Sequence, residues 1–310
     1  MGLPEQVRTL PAEPGVYRFR DAAGRVMYLG RATSLRSRVG SYFIELHNRP
    51  HLRRMVPQID RIEALVVASV HEAVWLERNL HHRSLPRWNR IRGGTEVPQV
   101  IELDDAPGGP RLSVVHLGDR RSANVRWGST VRFGPYLGGL RVRTAVSGLH
   151  RVWPVGSTGT RLTGSEQDMA AVRGVSPADR ARLVAALIAT LEREPEAVAS
   201  TLAELARRRD QASAELRFEA AGRLLDEARA VEWVTSVQRV STLEPIDAEL
   251  AGWSDGVLLT LQIRAGRLDG WAQGRCGAEA ADRRVRDTAQ PWRDLTRTNV
   301  ELAARLLRAR

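Results

Sequence analysis

Two tyrosines sit in short tripeptides, Gly15-Val16-Tyr17 and Tyr28-Leu29-Gly30, with ten residues between the tripeptides. Arg31, Arg36, Arg38 and Tyr42 follow, then a carboxylate, Glu77, with Asn89 twelve residues after it. These residue types suit phosphodiester hydrolysis, which needs a nucleophilic water, charge stabilisation on the phosphate and help for the leaving oxygen. Glu77 is the candidate ligand for one divalent ion, since Mg²⁺ keeps several waters and is commonly held by one or two carboxylates plus substrate phosphate. Tyr17 is the candidate to orient or activate the attacking water, with Tyr28 beside it. A phenol of ordinary pKa, about 10, is a poor base at neutral pH. Arg31 and Arg38 are therefore expected to favour the phenolate. Arg38 is expected on the scissile phosphate, where loss of one such donor typically costs about 100–1000-fold in rate. Asn89 fixes the backbone or a bridging water. Plainer readings exist for the same residues: Glu77 in a surface i,i+4 pair, the tyrosines filling a hairpin core.

The elements that must position these groups follow from apolar spacing. Apolar residues alternate on either side of the Asp21-Ala22-Ala23-Gly24 turn, which predicts a β-hairpin over 15–30. After Gly30 the spacing of Leu35, Val39 and Tyr42-Phe43 becomes helical. A short helix is expected at 50–57 and a buried strand at 62–68. A further helix, capped by Ser69 or His71, carries Glu72, Trp75, Leu76, Glu77 and Leu80 and ends before Pro86. Short strands are expected at 97–103, 111–117, 125–127 and 131–133, broken by Gly134-Pro135-Tyr136, then a helix at 140–152. Residues 156–174, rich in Gly, Ser and Thr, read as an exposed loop or linker. Helices are predicted at 177–193 and, as one long element, at 195–238. Strands then occupy 242–275, and an amphipathic helix closes the chain at 293–309.

Composition constrains the partners. The 310 residues carry 47 basic and 36 acidic side chains, a net charge of +11, and every basic residue is Arg. Guanidinium stays charged and forks onto phosphate oxygens. Residues 1–100 hold 16 Arg and 9 acidic residues, 16 − 9 = +7, so a third of the chain supplies most of the excess. A phosphate-binding region would look so, and so would a solvated basic face. The single cysteine, Cys276, excludes a disulfide within the chain and any multi-cysteine metal site. No apolar run of about 18 residues occurs and no secretory signal opens the sequence. A soluble cytoplasmic protein with no membrane partner is expected.

The ordered set resembles the GIY-YIG nucleases, in the arrangement of the UvrC and Cho group. Gly30-Arg31-Ala32, Leu35 to Val39, Ser41-Tyr42-Phe43, Glu72-Ala73, Leu76 to Leu80 and Trp88-Asn89 all continue the pattern. Arg132 to Tyr136 and the stretch to Trp153-Pro154 are similar to the segment that follows the nuclease domain in that group. Glu215 to Leu224 looks like its UVR motif, a helical hairpin. The resemblance implies an α+β fold in five segments. A GIY-YIG endonuclease domain at 1–92 has a three-stranded antiparallel sheet with flanking helices, and a β-rich segment plus helix occupies 93–156. A loop and helical linker at 157–200, a UVR-like hairpin at 201–238 and a small C-terminal α/β segment at 239–310 complete the chain.

It also implies a catalytic set of Tyr17, Tyr28, Arg31, Arg38, Tyr42, Glu77 and Asn89, with Mg²⁺ or Mn²⁺ at Glu77. DNA contacts are expected from Arg36, Arg83, Arg87 and Arg90, and nicks should leave 3′-hydroxyl and 5′-phosphate ends. A UvrB-like partner would dock on 203–237 through Leu216, Phe218 and Leu224, and the substrate would be double-stranded DNA, damaged DNA included.

Three departures stand out. Up to Arg310 nothing corresponds to the family's ribonuclease-H-like half and tandem hairpin module. The four cysteines of its iron–sulfur cluster are missing, so no such cluster is expected. Arg31 stands where the family often has Lys, and guanidinium cannot act as a neutral base. His81-His82 point about 100° apart on a helix, unlike a metal pair, and are expected on the DNA-facing surface. Trp127, Trp153, Trp233, Trp253, Trp271 and Trp292 stack on bases or fill cores and interfaces. The main reading is a nicking endonuclease of nucleotide excision repair. Its alternatives are a catalytically silent DNA-binding adaptor that recruits a UvrB-like protein, or a fragment normally joined to an exonuclease domain.

Overall fold

The computed structural model describes residues 2–44, 50–89, 97–106, 108–117, 130–241 and 246–309. It divides into two compact units: residues 1–95 with 238–310, and residues 96–237. The five segments thus regroup, because 96–237 share one core and the C-terminal stretch builds onto the nuclease-like part.

In the first unit, helix α1 (Leu3–Thr9) leads into strands β1 (Gly15–Arg20) and β2 (Val26–Ala32), then helices α2 (Leu35–Ile44) and α3 (Pro50–Met55). Strand β3 (Arg61–Val66) and helix α4 (Val70–Arg83) follow. The antiparallel order is β2-β1-β3. The hairpin turn closes because Asp21 accepts from the Gly24 and Arg25 backbones, at 2.8 and 2.9 Å. Ser69 caps α4 by accepting from Glu72 N at 3.2 Å, as its position before the apolar run predicts.

The second unit contains strands β4 (Gln99–Ala106), β5 (Gly109–His116) and β6 (Thr130–Tyr136), in the order β5-β4-β6. β6 runs on through Gly134-Pro135-Tyr136, where a break was expected, by means of a register shift against Gln99. The strand expected at 125–127, with Trp127, lies outside the described residues. Helices α5 (Gly139–Val152), α6 (Gly164–Val172), α7 (Arg180–Leu191), α8 (Pro195–Ala214) and α9 (Phe218–Val234) complete the unit. The supposed loop at 156–174 is largely ordered instead. Ser157 and Thr158 are buried, and a Thr163/Glu166 capping box starts α6. The long helix at 195–238 is a hairpin of α8 and α9, broken where Leu216 takes φ +57°.

After residue 237 the chain returns to the first unit with strands β7 (Ala248–Ser254), β8 (Val257–Arg264) and β9 (Arg267–Arg275), and helices α10 (Ala278–Arg286) and α11 (Gln290–Arg308). Leu302 and Leu306 of α11 join the core formed by Tyr17, Phe19, Leu35 and Ile62. Gly252 lets α11 lie against β7: a Cβ there would stand 2.7 Å from Thr296 O. The helices α1, α6 and α10 were not anticipated. Among the described residues no helix is long and apolar enough to cross a membrane.

Candidate active site

β1 and β2 pair with Tyr17 opposite Gly30 and Phe19 opposite Tyr28, so alternation puts Tyr17, Phe19 and Tyr28 on one face of the sheet. α2 brings Tyr42 onto the same face. The rings form one cluster, Tyr17–Tyr42 at 6.0 Å and Tyr28–Tyr42 at 5.6 Å between centroids. Gly30 makes the cluster possible, since a Cβ there would sit 2.6 Å from the Tyr17 hydroxyl. Phe19 belongs to the cluster although only its place two residues after Tyr17 hinted at it.

The three hydroxyls are joined in a line. Tyr42 donates to Tyr28 at 2.9 Å, and Tyr17 and Tyr42 are hydrogen-bonded at 2.8 Å. Because Tyr42 has a single proton, Tyr17 must be the donor in the second bond. At the other end the Arg38 guanidinium is coupled electrostatically to Tyr17 and lies 5.2 Å from the Tyr42 ring centroid. Tyr28 thus terminates the line, and its side chain is only partly buried, whereas Tyr17 is 0% exposed.

Two expectations about Tyr17 meet the structure differently. Arg38 does favour its phenolate, but burial and the neighbouring phenols outweigh it and hold Tyr17 well above the ordinary phenol range. Tyr28 is also raised, first by burial and then by Tyr42. Arg31 makes another contact: its guanidinium stands 3.5 Å from Glu77, and its backbone N–H also favours the ionised carboxylate. Burial still leaves the Glu77 carboxyl above its usual value, against Arg31 and Arg38. Asn89 clasps β2, accepting from Leu29 N at 2.9 Å and donating to Leu29 O at 2.8 Å. Of its two expected roles this is the backbone one.

The expected phosphate-binding arginines are placed less uniformly. Arg36 is exposed yet donates through Nε to Leu10 O at 2.7 Å, which ties α2 to the segment before β1. Arg83 is ion-paired with Asp269 on β9. Arg87 lies 5.5 Å from the Trp88 ring centroid and is exposed. Arg90 lies outside the described residues. His81 is buried rather than on a DNA-facing surface, because α4 turns that side toward the core, while His82 is exposed. Most of the tryptophans have structural partners: Trp271 lies under Arg18, Trp233 against Tyr136, and Trp153 donates to Thr201. Leu224, expected on a docking stripe, packs into the second unit's core, whereas Leu216 and Phe218 are 74% and 66% exposed.

Among the described residues no group of three or more His, Cys, Asp or Glu could hold a metal. Any ion at Glu77 would therefore share one carboxylate with water and substrate oxygens. That fits Mg²⁺, and a carboxylate more desolvated than its 3.5 Å guanidinium contact offsets is one that a hard cation would stabilise.

Residues 13–90 match the family described as the UvrC-like GIY-YIG domain, and this part of the chain belongs to it: an endonuclease domain. Relatives that match 84–87% of the chain carry the name UvrABC system protein C. That of Chlorobium chlorochromatii is 28% identical over 290 residues, 86% of this chain and 44% of that protein. Those of Mycolicibacterium paratuberculosis and Anaeromyxobacter sp. are 33% and 34% identical over 84% of this chain, covering 42% and 37% of their own lengths. The chain thus spans less than half the length of these relatives. Among solved structures, the N-terminal endonuclease domain of UvrC from Thermotoga maritima, bound to its catalytic magnesium, is 32% identical. It covers 29% of this chain and 99% of its own, with a TM-score of 0.26.

Proposed function

We propose that this chain is a divalent-metal-dependent DNA endonuclease that nicks one strand, working in nucleotide excision repair. The observation that carries the reading is the hydrogen-bonded line Tyr17–Tyr42–Tyr28 beside Arg38, which ends at a partly exposed phenol close enough to Glu77 for the carboxylate to oppose its ionisation.

Each residue then has a task. Glu77 would hold Mg²⁺ or Mn²⁺, and the ion when bound would neutralise charge on the phosphate and the leaving oxygen. Tyr28, not the sealed Tyr17, touches and orients the attacking water. Tyr42 and Tyr17 fix the Tyr28 hydroxyl by donating along the line. Arg38, exposed on α2, reaches the scissile phosphate with its guanidinium. Arg31 positions the Glu77 carboxylate, and Asn89 keeps β2 in place beneath it.

DNA affinity would come mainly from phosphate contacts by Arg36, Arg87 and Arg90, and would weaken with salt. Arg83 contributes less, because Asp269 already neutralises it. A UvrB-like protein would dock on the tip of the α8–α9 hairpin, where Leu216 and Phe218 stand in solvent.

A supercoiled-plasmid assay with Mg²⁺ tests the enzyme reading. Nicking by the parent and none by Glu77→Ala supports it. No nicking by either on damaged and undamaged DNA leaves the silent adaptor as the better account, and equal nicking by both removes Glu77 from the chemistry.

A further inference from the structure

We propose that an arginine-lined groove on the second unit binds the sugar–phosphate backbone of DNA, as an anchor additional to the Glu77 site. The groove is formed by α5, α6, α7 and α8 and encloses about 970 Å³. Arg143, Arg151, Arg173, Arg182 and Arg208 line it, and among the described residues no Asp or Glu does.

Three of these guanidiniums are held by carboxylates set back from the groove. Arg151 pairs with Glu227 at 2.7 Å, Arg182 with Asp179 at 2.7 Å and Arg208 with Glu204 at 2.6 Å. The other two have no carboxylate partner among the described residues. Arg173 donates to the Ser157 hydroxyl at 2.9 Å, and Arg143 is exposed. His150, also in the lining, is pushed toward its neutral form by burial and by Arg173, against its contact with Leu112 O.

This excess is positional. Residues 96–237 hold 19 Arg and 18 acidic residues, 19 − 18 = +1, so the unit is nearly neutral while its groove is not. Exposed apolar side chains share the lining: Met169 and Val172 are 48% and 83% exposed. Guanidinium forks interspersed with apolar surface suit a chain that alternates phosphates with sugar and base surfaces. An acidic peptide offers charge but not that alternation. The proposal rests on the reading of this protein as a DNA nuclease, which makes DNA the polyanion it meets.

The test is fluorescence anisotropy of a labelled DNA duplex with the full chain, in EDTA, across a salt series. Arg143→Ser and the double variant Arg143→Ser/Arg173→Ser are compared with the parent. Each lost phosphate contact makes the plot of log K against log salt shallower by about 0.9, so slopes shallower by about 1 and about 2 are expected. Nicking at saturating DNA stays at the parental rate. Unchanged slope and affinity in both variants would overturn the proposal. So would normal DNA binding together with lost binding of a poly-glutamate peptide, which would assign the groove to an acidic polypeptide. Arg143→Ser removes no ion pair, so its melting temperature guards against misfolding. A parent that never nicks but shows the slope changes would sink the nuclease reading and leave the groove standing.

Discussion

Asn299 on α11 holds Val66, the last residue of β3, by both backbone polar groups. Its Oδ1 accepts from Val66 N at 2.7 Å and its Nδ2 donates to Val66 O at 3.0 Å. Both partners are buried, and 233 residues separate them in the chain. Asn299→Ala would leave a buried donor and acceptor unpaired, at about 1–3 kcal/mol. Urea denaturation should show a loss of that size, with nicking intact at low temperature. Unchanged stability would mean that water replaces the amide.

Glu63 is 1% exposed and accepts ion pairs from Arg18, Arg20 and Arg61, with Arg18 in turn 3.9 Å over the Trp271 ring. Burial pulls the Arg18 pKa down to about 10, which leaves it charged at neutral pH. Removing the carboxylate strands three guanidiniums. Glu63→Gln is therefore expected to cost about 3–5 kcal/mol, measured by the same denaturation. A cost below about 1 kcal/mol would show that the arginines escape to solvent.

Glu72 supplies the pH dependence. Its carboxylate accepts from the backbones of Arg239, Val240 and Ala68, yet burial dominates and raises its pKa above the unfolded value. A raised carboxyl means that the folded state binds the proton more tightly. The associated stability is full below the unfolded pKa and is lost as pH rises through the folded one. Relative to Glu72→Gln, the parent should lose stability over that interval and run parallel above it. Denaturant midpoints from about pH 4 to about pH 8 check this, and parallel curves throughout would refute it.

At the proposed reaction centre, Tyr28→Phe should slow single-turnover cleavage by about 100-fold or more, and Tyr17→Phe by less. The reason is access: Tyr17 is sealed in the core and Tyr28 is not. A larger loss for Tyr17→Phe would return the water to that phenol. Glu77→Gln should abolish cleavage, retain DNA binding and, in EDTA, raise the melting temperature by removing a desolvated carboxylate.

The hairpin tip makes a separate prediction. Phe218→Ser should change stability by no more than about 0.5 kcal/mol, because the ring is in solvent. Leu216→Gly should be neutral or stabilising by about 1 kcal/mol, since the residue sits at φ +57°. Both should lose co-purification with a UvrB-like protein if the tip is the docking surface. Retained binding would move the interface elsewhere.

Local pattern was enough for the parts whose physics is local. Alternation and a Gly-containing turn specified the β1–β2 hairpin, Ser69 before an apolar run specified the start of α4, and together they placed Tyr17, Tyr28 and Glu77 on neighbouring elements. For Asn89 the sequence leaves two roles open, the backbone or a bridging water, and its paired contact with Leu29 of β2 appears only in the fold. The Gly-, Ser- and Thr-rich stretch at 156–174 is largely exposed, as composition suggests, but composition cannot see the neighbouring core that buries Ser157 and Thr158 or the capping box that starts α6.

Long-range packing decided the rest. Nothing near residue 299 announces that it will complete a strand ending at residue 66. The order of the three phenols, and hence which one meets water, depends on depth in a core shared with Leu302 and Leu306. Charge type was readable from the sequence, but whether an arginine is available was not: Arg83 is taken by Asp269, while Arg143 is left without an ion pair among the described residues. Residue identity sets what a group can do; burial and partners, which only the folded chain brings together, set its ionisation and its access to substrate.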